Sequence, residues 1–157
     1  MKELDITLRL QSLAPEELSE QERALVHAAM AATERSYAPY SNFRVGAAIL
    51  LDNGEIIEGA NQENVAYPSG TCAERSACFY AGARYPDARF KCIAVAARGT
   101  DGKFTPLPTA PCGACRQALL EYEVLAGRPV PVLLAGADAV YRIPSVASLL
   151  PLAFTEF

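Results

Sequence analysis

Two short cysteine motifs, far apart in the chain, most constrain how it can fold. The first is Cys72-x-Glu74 and the second is Pro111-Cys112-x-x-Cys115. The Cys-x-x-Cys spacing brings two thiolates onto one metal ion, and Cys72 would supply a third. Each motif opens a segment with helical spacing, and the N-terminus of a helix stabilises a thiolate. The fold therefore has to bring the starts of two helices together around one ion.

Three cysteine ligands without an evident fourth ligand indicate a catalytic zinc site rather than a structural one. Structural zinc is normally held by four protein ligands, whereas catalytic zinc keeps one position for water. Glu74 would lie near the ion, where a carboxylate can take a proton from water and pass it to a substrate nitrogen. Cys78 and Cys92 lie in helical and strand patterns and are interpreted as small buried hydrophobic residues. The single histidine, His27, has no nearby ligand partner and is interpreted as structural.

Strand and helix patterns alternate along the chain. They predict a single three-layer α/β/α domain over residues 1–157, with helices on both faces of a mixed sheet of about five strands. A capping box over residues 19–22 predicts a helix that runs to about Tyr37, and residues 52–54 predict a hairpin turn. The predicted strands are 43–51, 55–60, 91–97, 130–135 and 140–143. The other predicted helices are 72–83, 112–124 and one or two turns over 145–150.

Residues 1–18 are interpreted as an N-terminal extension of this domain. Within it, residues 5–10 alternate between apolar and polar side chains, which is typical of a short strand. Such a strand could extend the sheet at one edge. Pro15 and the acidic residues after it end the alternation.

Composition and charge narrow the classes of partner. The chain has 157 residues, 51% of them hydrophobic, which is typical of a globular protein. Its formal net charge is −4, and without a basic stripe we expect no nucleic-acid partner. Residues 1–10 do not resemble a signal peptide, and no apolar run is long enough to span a bilayer. We therefore expect a cytoplasmic protein with no membrane partner, whose five cysteines are reduced.

The two cysteine motifs and their surroundings resemble the small homotetrameric cytidine deaminases. The resemblance extends from about residue 20 to residue 154 and includes YSNFRVGAA at 40–48, NQEN at 61–64, YPSGTCAER at 67–75 and LLPLAF at 149–154. It implies the cytidine deaminase fold and one zinc ion per subunit. The implied reaction is hydrolytic deamination of cytidine and 2′-deoxycytidine to uridine and 2′-deoxyuridine, with release of ammonia, in pyrimidine salvage.

The same resemblance implies roles for individual residues. Asn61 and Glu63 would hold the ribose hydroxyls, with Glu63 binding chiefly the 3′-hydroxyl. An amide and a carboxylate suit this task, because a hydroxyl can both donate and accept. Homotetramer formation would let Phe154 of one subunit stack on the base in a neighbour. The other implied substrate contacts are Phe43, Ala73 and, across subunits, Tyr67, while Arg75 and Gln117 would support the metal site.

The negative charge of three thiolates on one zinc ion calls for compensation. Arg75 and Arg116 directly follow the two motifs and could donate hydrogen bonds to sulfur. This remains a hypothesis from sequence position alone.

Other functions remain open at this point. Deaminases of blasticidin S, guanine or tRNA adenosine share the metal motif, but Asn61, Glu63 and Phe154 favour a free nucleoside. A polynucleotide deaminase is disfavoured by the acidic charge. A noncatalytic zinc module for assembly or binding would also hold an ion, but Glu74 and the open fourth position argue against it.

Overall fold

The computed structural model describes residues 1–155 and places six strands and three α-helices within them. The strands are β1 (Gln11–Leu13), β2 (Arg44–Leu51), β3 (Ile56–Ala60), β4 (Phe90–Arg98), β5 (Val132–Ala135) and β6 (Val140–Ile143). The helices are α1 (Glu20–Ala32), α2 (Ala73–Arg84) and α3 (Gly113–Ala126). Single 3-10 turns cover Pro15–Glu17, Thr33–Arg35, Tyr67–Ser69 and Ala147–Leu149.

The strands form one mixed sheet in the order β1-β6-β5-β4-β2-β3. β4 and β5 are parallel, and the crossover between them carries α3, while all other neighbouring strands are antiparallel. A parallel pair needs such a crossover, whereas β2 and β3 are joined by a tight turn in which Gly54 adopts a φ of 90°. The predicted mixed sheet is confirmed, with one strand more than the five expected.

Helices cover both faces of the sheet, which confirms the predicted three layers. On one face α1 buries Leu25 and Ala29 against Ala48 of β2. On the other face α2 and α3 bury residues such as Ala77 and Leu119 against the opposite side of β2 and β4. β4 therefore has apolar side chains on both faces, as expected for a central strand covered twice.

Two glycines allow the helices to approach the sheet closely. A Cβ atom on Gly59 of β3 would lie 2.5 Å from the backbone nitrogen of Ala77 in α2. A Cβ on Gly46 of β2 would lie 2.1 Å from the carbonyl oxygen of Ala29 in α1. Both distances are too short for any side chain, so only glycine permits this backbone contact. The contact at Gly59 fixes α2 next to the sheet one turn after the helix begins.

The N-terminal edge strand exists, but the prediction that it spans residues 5–10 is wrong. β1 pairs with β6 in the register Gln11↔Arg142 to Leu13↔Val140, while residues 1–10 are exposed and form no strand. The alternation reveals one apolar face, but a strand also needs an edge to pair with. β6 offers four residues and is followed by Pro144, which has no N–H to donate.

The first helix ends earlier than the predicted limit at Tyr37. α1 stops at Ala32 and continues as a 3-10 turn, in which the Thr33 hydroxyl donates to the carbonyl of Met30 at 2.6 Å. A threonine hydroxyl that bonds back to the preceding turn competes with the helical pattern. The other predicted elements are confirmed with shifts of two residues or fewer at each end, apart from the C-terminal turn, which is shorter than expected. None of the helices in residues 1–155 is long and apolar enough to span a membrane.

Candidate metal centre and substrate cavity

The starts of α2 and α3 bring three cysteine sulfurs together. Cys72 and Cys112 are the N-cap residues of the two helices, and Cys115 lies in the first turn of α3. The three Sγ atoms all lie within 4.8 Å of one another, with Cys112 and Cys115 Sγ 3.6 Å apart. Within residues 1–155 this is the only group of three or more histidine, cysteine or acidic side chains so arranged.

The three sulfurs fit a zinc ion. In tetrahedral zinc sites with Zn–S bonds of about 2.3 Å, the sulfurs lie roughly 3.8 Å apart, close to the spacing found here. Cys115 is buried, whereas Cys72 and Cys112 line an open cavity, so the ion would face the cavity on one side. Cys78 and Cys92 lie outside the group, and burial raises the pKa of each thiol to about 12. Zinc is thus the expected cofactor, and the donor set leaves a position for a nonprotein ligand.

The two cysteines of α3 have opposite electrostatic surroundings. The backbone N–H of Cys115 donates to the sulfur of Cys112, and this is the main cause that lowers the pKa of Cys112. Burial is the main cause that raises the pKa of Cys115, and the nearby Glu74 and Cys72 add to it. A buried thiol of this kind becomes a thiolate when a cation binds it. The pair therefore suits a metal better than a free dithiol.

One of the two predicted arginines contacts sulfur. Arg75 Nη2 lies 3.9 Å from Cys72 Sγ, and this hydrogen bond is the main cause that raises the pKa of Arg75. Its Nε is buried and has no hydrogen-bond partner within the described residues. Arg116 does not follow the hypothesis. Its guanidinium donates to the carbonyls of Pro111 at 2.8 Å and Leu149 at 2.9 Å, because α3 directs it toward the C-terminal segment.

Glu74 lies in the first turn of α2, between the metal group and the cavity. Its side chain is 4% exposed and lines the cavity together with Cys72 and Cys112. Burial raises the pKa of Glu74, although hydrogen bonds from its own N–H and from Cys115 act in the opposite direction. Ala73, which precedes it, is fully buried. A carboxyl group with a raised pKa is well placed to exchange protons with a bound molecule.

The cavity has a volume of about 520 Å³, within the usual range for small-molecule sites. Most of the cavity surface is apolar and includes Phe43, Val45 and Val95. Its polar groups come from the metal group and from loops. The structure thus brings together most of the predicted site residues. Those that line the cavity are Phe43, Asn61, Glu63, Tyr67, Cys72, Glu74 and Cys112.

Asn61 and Glu63 are among the polar side chains that line the cavity. Asn61 Oδ1 accepts hydrogen bonds from the Val45 N–H at 2.8 Å and from the Ser36 hydroxyl at 2.5 Å. The Ser41 hydroxyl donates to Glu63, and this is the main cause that lowers the pKa of Glu63. Glu63 is therefore an ionised hydrogen-bond acceptor. Neither serine contact is predictable from the sequence, because these contacts join loops more than 20 residues apart.

Two predicted residues, Gln117 and Phe154, do not line the cavity. Gln117 donates through Nε2 to the Phe154 carbonyl at 2.9 Å and accepts from the Phe154 N–H at 3.4 Å. Gln117 therefore holds the C-terminal segment, and its support of the metal site stays a prediction. The Phe154 side chain is 66% exposed and does not line the cavity of its own subunit. Tyr67, expected to act across subunits, lines the cavity of its own subunit and contacts Tyr40 edge to face.

Comparison with known proteins adds sequence and structural relatives. The family model of the cytidine and deoxycytidylate deaminase zinc-binding region matches residues 19–126. A cytidine deaminase of Halalkalibacterium halodurans is 40% identical over 131 residues, which cover 83% of this chain and 92% of that protein. A cytidine deaminase of Sporosarcina psychrophila is 43% identical over 128 residues, which cover 80% of this chain and 85% of that protein.

The fold also matches solved structures. The crystal structure of cytidine deaminase from Burkholderia pseudomallei is 40% identical with a TM-score of 0.69, and the match covers 87% of this chain and 100% of that one. Cytidine deaminase from Mycobacterium tuberculosis matches with a TM-score of 0.68 at 30% identity, over 88% of this chain and 100% of that one.

Proposed function

The chain belongs to the family of zinc-binding cytidine deaminases, and from this premise we infer that it hydrolyses cytidine to uridine and ammonia. The observation that carries this conclusion is the position of Glu74, a buried carboxyl beside three converging sulfurs on the wall of a nucleoside-sized cavity. A noncatalytic zinc module would need neither the carboxyl nor the cavity. The overall reaction consumes one water and replaces the amino group on C4 of cytosine by oxygen. A reaction of this kind belongs to pyrimidine salvage.

We propose that Cys72, Cys112 and Cys115 hold the zinc ion. When bound, zinc makes a water acidic enough to attack near neutral pH and polarises the reacting centre. Glu74 accepts a proton from the attacking water and delivers it to N3 of the base. It then takes the proton from the hydroxyl now on C4 and passes it to the amino nitrogen, which leaves C4 as ammonia. The Glu74 carboxyl lies in the first turn of α2 and is held in place by burial. Because its position is fixed, the same group can perform both proton transfers.

The substrate is held by the opposite wall. In this proposal Phe43 packs against the base and sugar, the backbone of Ala73 contacts the base edge, and Asn61 and Glu63 bind the ribose hydroxyls. Asn61 supplies an N–H donor and Glu63 an ionised acceptor. Because 2′-deoxycytidine keeps the 3′-hydroxyl that Glu63 would bind, we expect it to be a substrate as well.

The decisive experiment is a substrate panel with purified, zinc-loaded protein. Ammonia release is measured with cytidine, 2′-deoxycytidine, blasticidin S and guanine. We expect turnover of the two cytosine nucleosides only. The variant Glu74→Gln is the matched control, since it should keep zinc but lose at least about 10²-fold in kcat. Full zinc content with no turnover of any of the four compounds would instead identify a noncatalytic zinc protein, and turnover of blasticidin S or guanine alone would identify a deaminase of another ring.

We further propose a homotetramer in which Phe154 completes the site of a neighbouring subunit. An exposed aromatic side chain outside its own cavity, on a segment held by Gln117 and Arg116, supports this arrangement. Mixing Phe154→Ala subunits with Glu74→Gln subunits should restore activity, because an intact Phe154 then reaches a site with an intact Glu74. Light scattering gives the subunit number. A monomer with full activity would contradict the proposal.

A cytoplasmic location is part of the same proposal. All five cysteines are free, and a reducing compartment keeps thiols available for metal binding. Cell fractionation checks it, and recovery of the protein from an oxidising compartment would contradict it.

A further inference from the structure

A serine in the loop before β2 contacts the carboxylate that faces the sugar side of the cavity. We propose that Ser41 is a positioning residue that holds Glu63 ready to bind the 3′-hydroxyl of the nucleoside. This inference rests on the proposed function, in which Glu63 binds that hydroxyl. It assigns a role to a residue that neither the cysteine motifs nor the ribose-binding pair includes.

The hydrogen bonds around Glu63 leave it one free acceptor position. Oε2 accepts from the Tyr40 N–H at 2.8 Å and the Ser41 N–H at 3.3 Å, and Oε1 accepts from the Ser41 hydroxyl. The Ser41 oxygen in turn accepts from the Phe43 N–H at 3.1 Å, so its single hydrogen points to Glu63. A carboxylate has about four lone-pair sites, and three are occupied. The remaining site, on the oxygen that Ser41 holds, is available to a ligand hydroxyl.

The loop that contains Ser41 has an unusual backbone conformation next to the Glu63 carboxylate. Asn42, with a φ of 56°, is the only non-glycine residue in residues 1–155 with a positive φ. Its N–H donates to the Ala38 carbonyl at 3.0 Å, which closes the turn. Such a conformation is costly for most residues and often marks functional sites. The N–H groups of Tyr40 and Ser41, in the same turn, donate to Glu63.

The neighbouring Asn61 is constrained in a complementary way. Its Oδ1 accepts from the Val45 N–H and the Ser36 hydroxyl, and its Nδ2 donates to the Phe43 carbonyl at 3.0 Å. Because a backbone N–H can only donate, the atom facing Val45 must be the amide oxygen. Asn61 therefore has one N–H left and can only donate to a ligand, while Glu63 can only accept. Their loops thus present a fixed donor and a fixed acceptor to the sugar.

The test compares substrates with and without the 3′-hydroxyl. For Ser41→Ala we expect KM for cytidine to rise about tenfold, the scale of a hydrogen bond to a charged group, with kcat within about twofold of wild type. For 3′-deoxycytidine we expect kcat/KM within about twofold of wild type, because the released carboxylate has no hydroxyl to bind. Ser41→Thr keeps the hydroxyl and should restore KM. Ser41 is exposed, so these variants are expected to fold.

The variant Glu63→Gln separates this inference from the proposed function. If Glu63→Gln loses discrimination between cytidine and 3′-deoxycytidine but Ser41→Ala keeps it, Ser41 is not a positioning residue. An equal loss on both substrates in Ser41→Ala would also overturn the inference, since it would indicate general damage to the loop. If Glu63→Gln itself retains discrimination, the inference fails together with the role of Glu63, while turnover of cytidine would still support the proposed function.

Discussion

The two polar walls of the cavity are built on different principles. On the metal wall, Cys72, Cys112 and Glu74 lie at the starts of two long helices, whose positions are fixed by packing against the sheet. On the wall proposed to bind the sugar, here called the sugar wall, Asn61 and Glu63 lie in loops. They are held by hydrogen bonds from Val45 at the start of β2 and from Ser41 in the preceding loop. A packed wall tolerates little displacement, whereas a hydrogen-bonded wall can be weakened one contact at a time. Substitutions on the metal wall should therefore abolish zinc binding or activity, whereas substitutions on the sugar wall should reduce activity by degrees.

The two glutamates of the cavity show the same contrast. Burial raises the pKa of Glu74, whereas the Ser41 hydroxyl and two backbone N–H groups lower the pKa of the partly exposed Glu63. A proton carrier benefits from a carboxyl that can hold a proton, and a hydroxyl acceptor benefits from one that stays ionised. In the proposed function, one cavity would use the same residue type for two tasks, distinguished by surroundings alone.

The largest effect is expected when one of the three cysteine sulfurs of the metal wall is removed. Cys72→Ala removes one of three sulfurs, and we expect it to abolish both stoichiometric zinc binding and cytidine turnover. Cys78→Ala is the matched control on the same helix. Its buried thiol lies outside the metal group, so it should cost about 1 kcal/mol of stability and spare both properties. Elemental analysis and ammonia release check the pair. Retention of one zinc per subunit in Cys72→Ala would refute the ligand assignment.

The metal wall was predictable from sequence because its signals are local. A Cys-x-x-Cys spacing, a carboxylate two residues after Cys72 and helical periodicity all lie within single segments. The sheet and its two helical layers followed from similar local patterns. β5 is predictable because its apolar run is short and bounded by polar or turn residues.

The residues missed by the sequence analysis act over long sequence separations. Ser41 and Ser36 contact side chains 22 and 25 residues away, and even the motif at 40–48 that includes Ser41 does not indicate which side chain it contacts. The role of Gln117 depends on a segment 37 residues further along the chain. The position of β1 was misjudged for a related reason, since the alternation in residues 5–10 cannot show which edge is available for pairing.

The next effect concerns the hydrogen bonds that hold α3, the helix that carries Cys115. Glu123 of α3 is 8% exposed, and its carboxylate accepts from the N–H groups of Val130, Val146 and Ala147 at 2.7 to 3.1 Å. Glu123→Gln would turn an amide NH₂ toward these donors, and we expect a loss of about 3 kcal/mol in unfolding free energy. Urea unfolding of the zinc-bound protein measures it.

Glu121→Gln is the control for that measurement. Glu121 lies on the exposed side of the same helix, and surface changes of this kind are usually within about 0.5 kcal/mol of wild type. Equal stability losses in the two variants would show that the hydrogen bonds accepted by Glu123 do not stabilise the fold.

A smaller effect concerns charge on the sugar wall. Within the described residues, the side chains lining the cavity include Glu63, Glu74 and two cysteines but no lysine, arginine or histidine. A 5′-phosphate would meet like charges without a counterion, so we expect kcat/KM for cytidine 5′-monophosphate to be about 10²-fold below that for cytidine. Added salt should narrow the gap by screening. Comparable rates for the two substrates, measured by ammonia release, would show that a cation reaches the site from elsewhere.

The smallest effect lies in the scaffold, away from both walls. Arg142 of β6 donates to both carboxylate oxygens of Glu22 at 2.7 and 2.6 Å, which ties α1 to the sheet. Partial burial raises the pKa of Glu22, but hydrogen bonds from Arg142 and Ser19 outweigh it and lower the pKa below its usual 4.5. With side chains 28% and 21% exposed, the pair should contribute about 1 kcal/mol. Glu22→Gln should lose this stability with no change in kcat or KM.

The dependence of this loss on pH follows from the direction of the shift. A carboxyl whose pKa is lowered by folding stabilises the folded state above its unfolded pKa, and the contribution disappears as pH falls through the folded value. The difference in unfolding free energy between wild type and Glu22→Gln should therefore be largest near about pH 7 and shrink toward zero below about pH 4. Both proteins lose metal ligation together in acid, so the difference isolates Glu22. A difference that stayed constant on acidification would mean that Glu22 acts through its shape and not its charge.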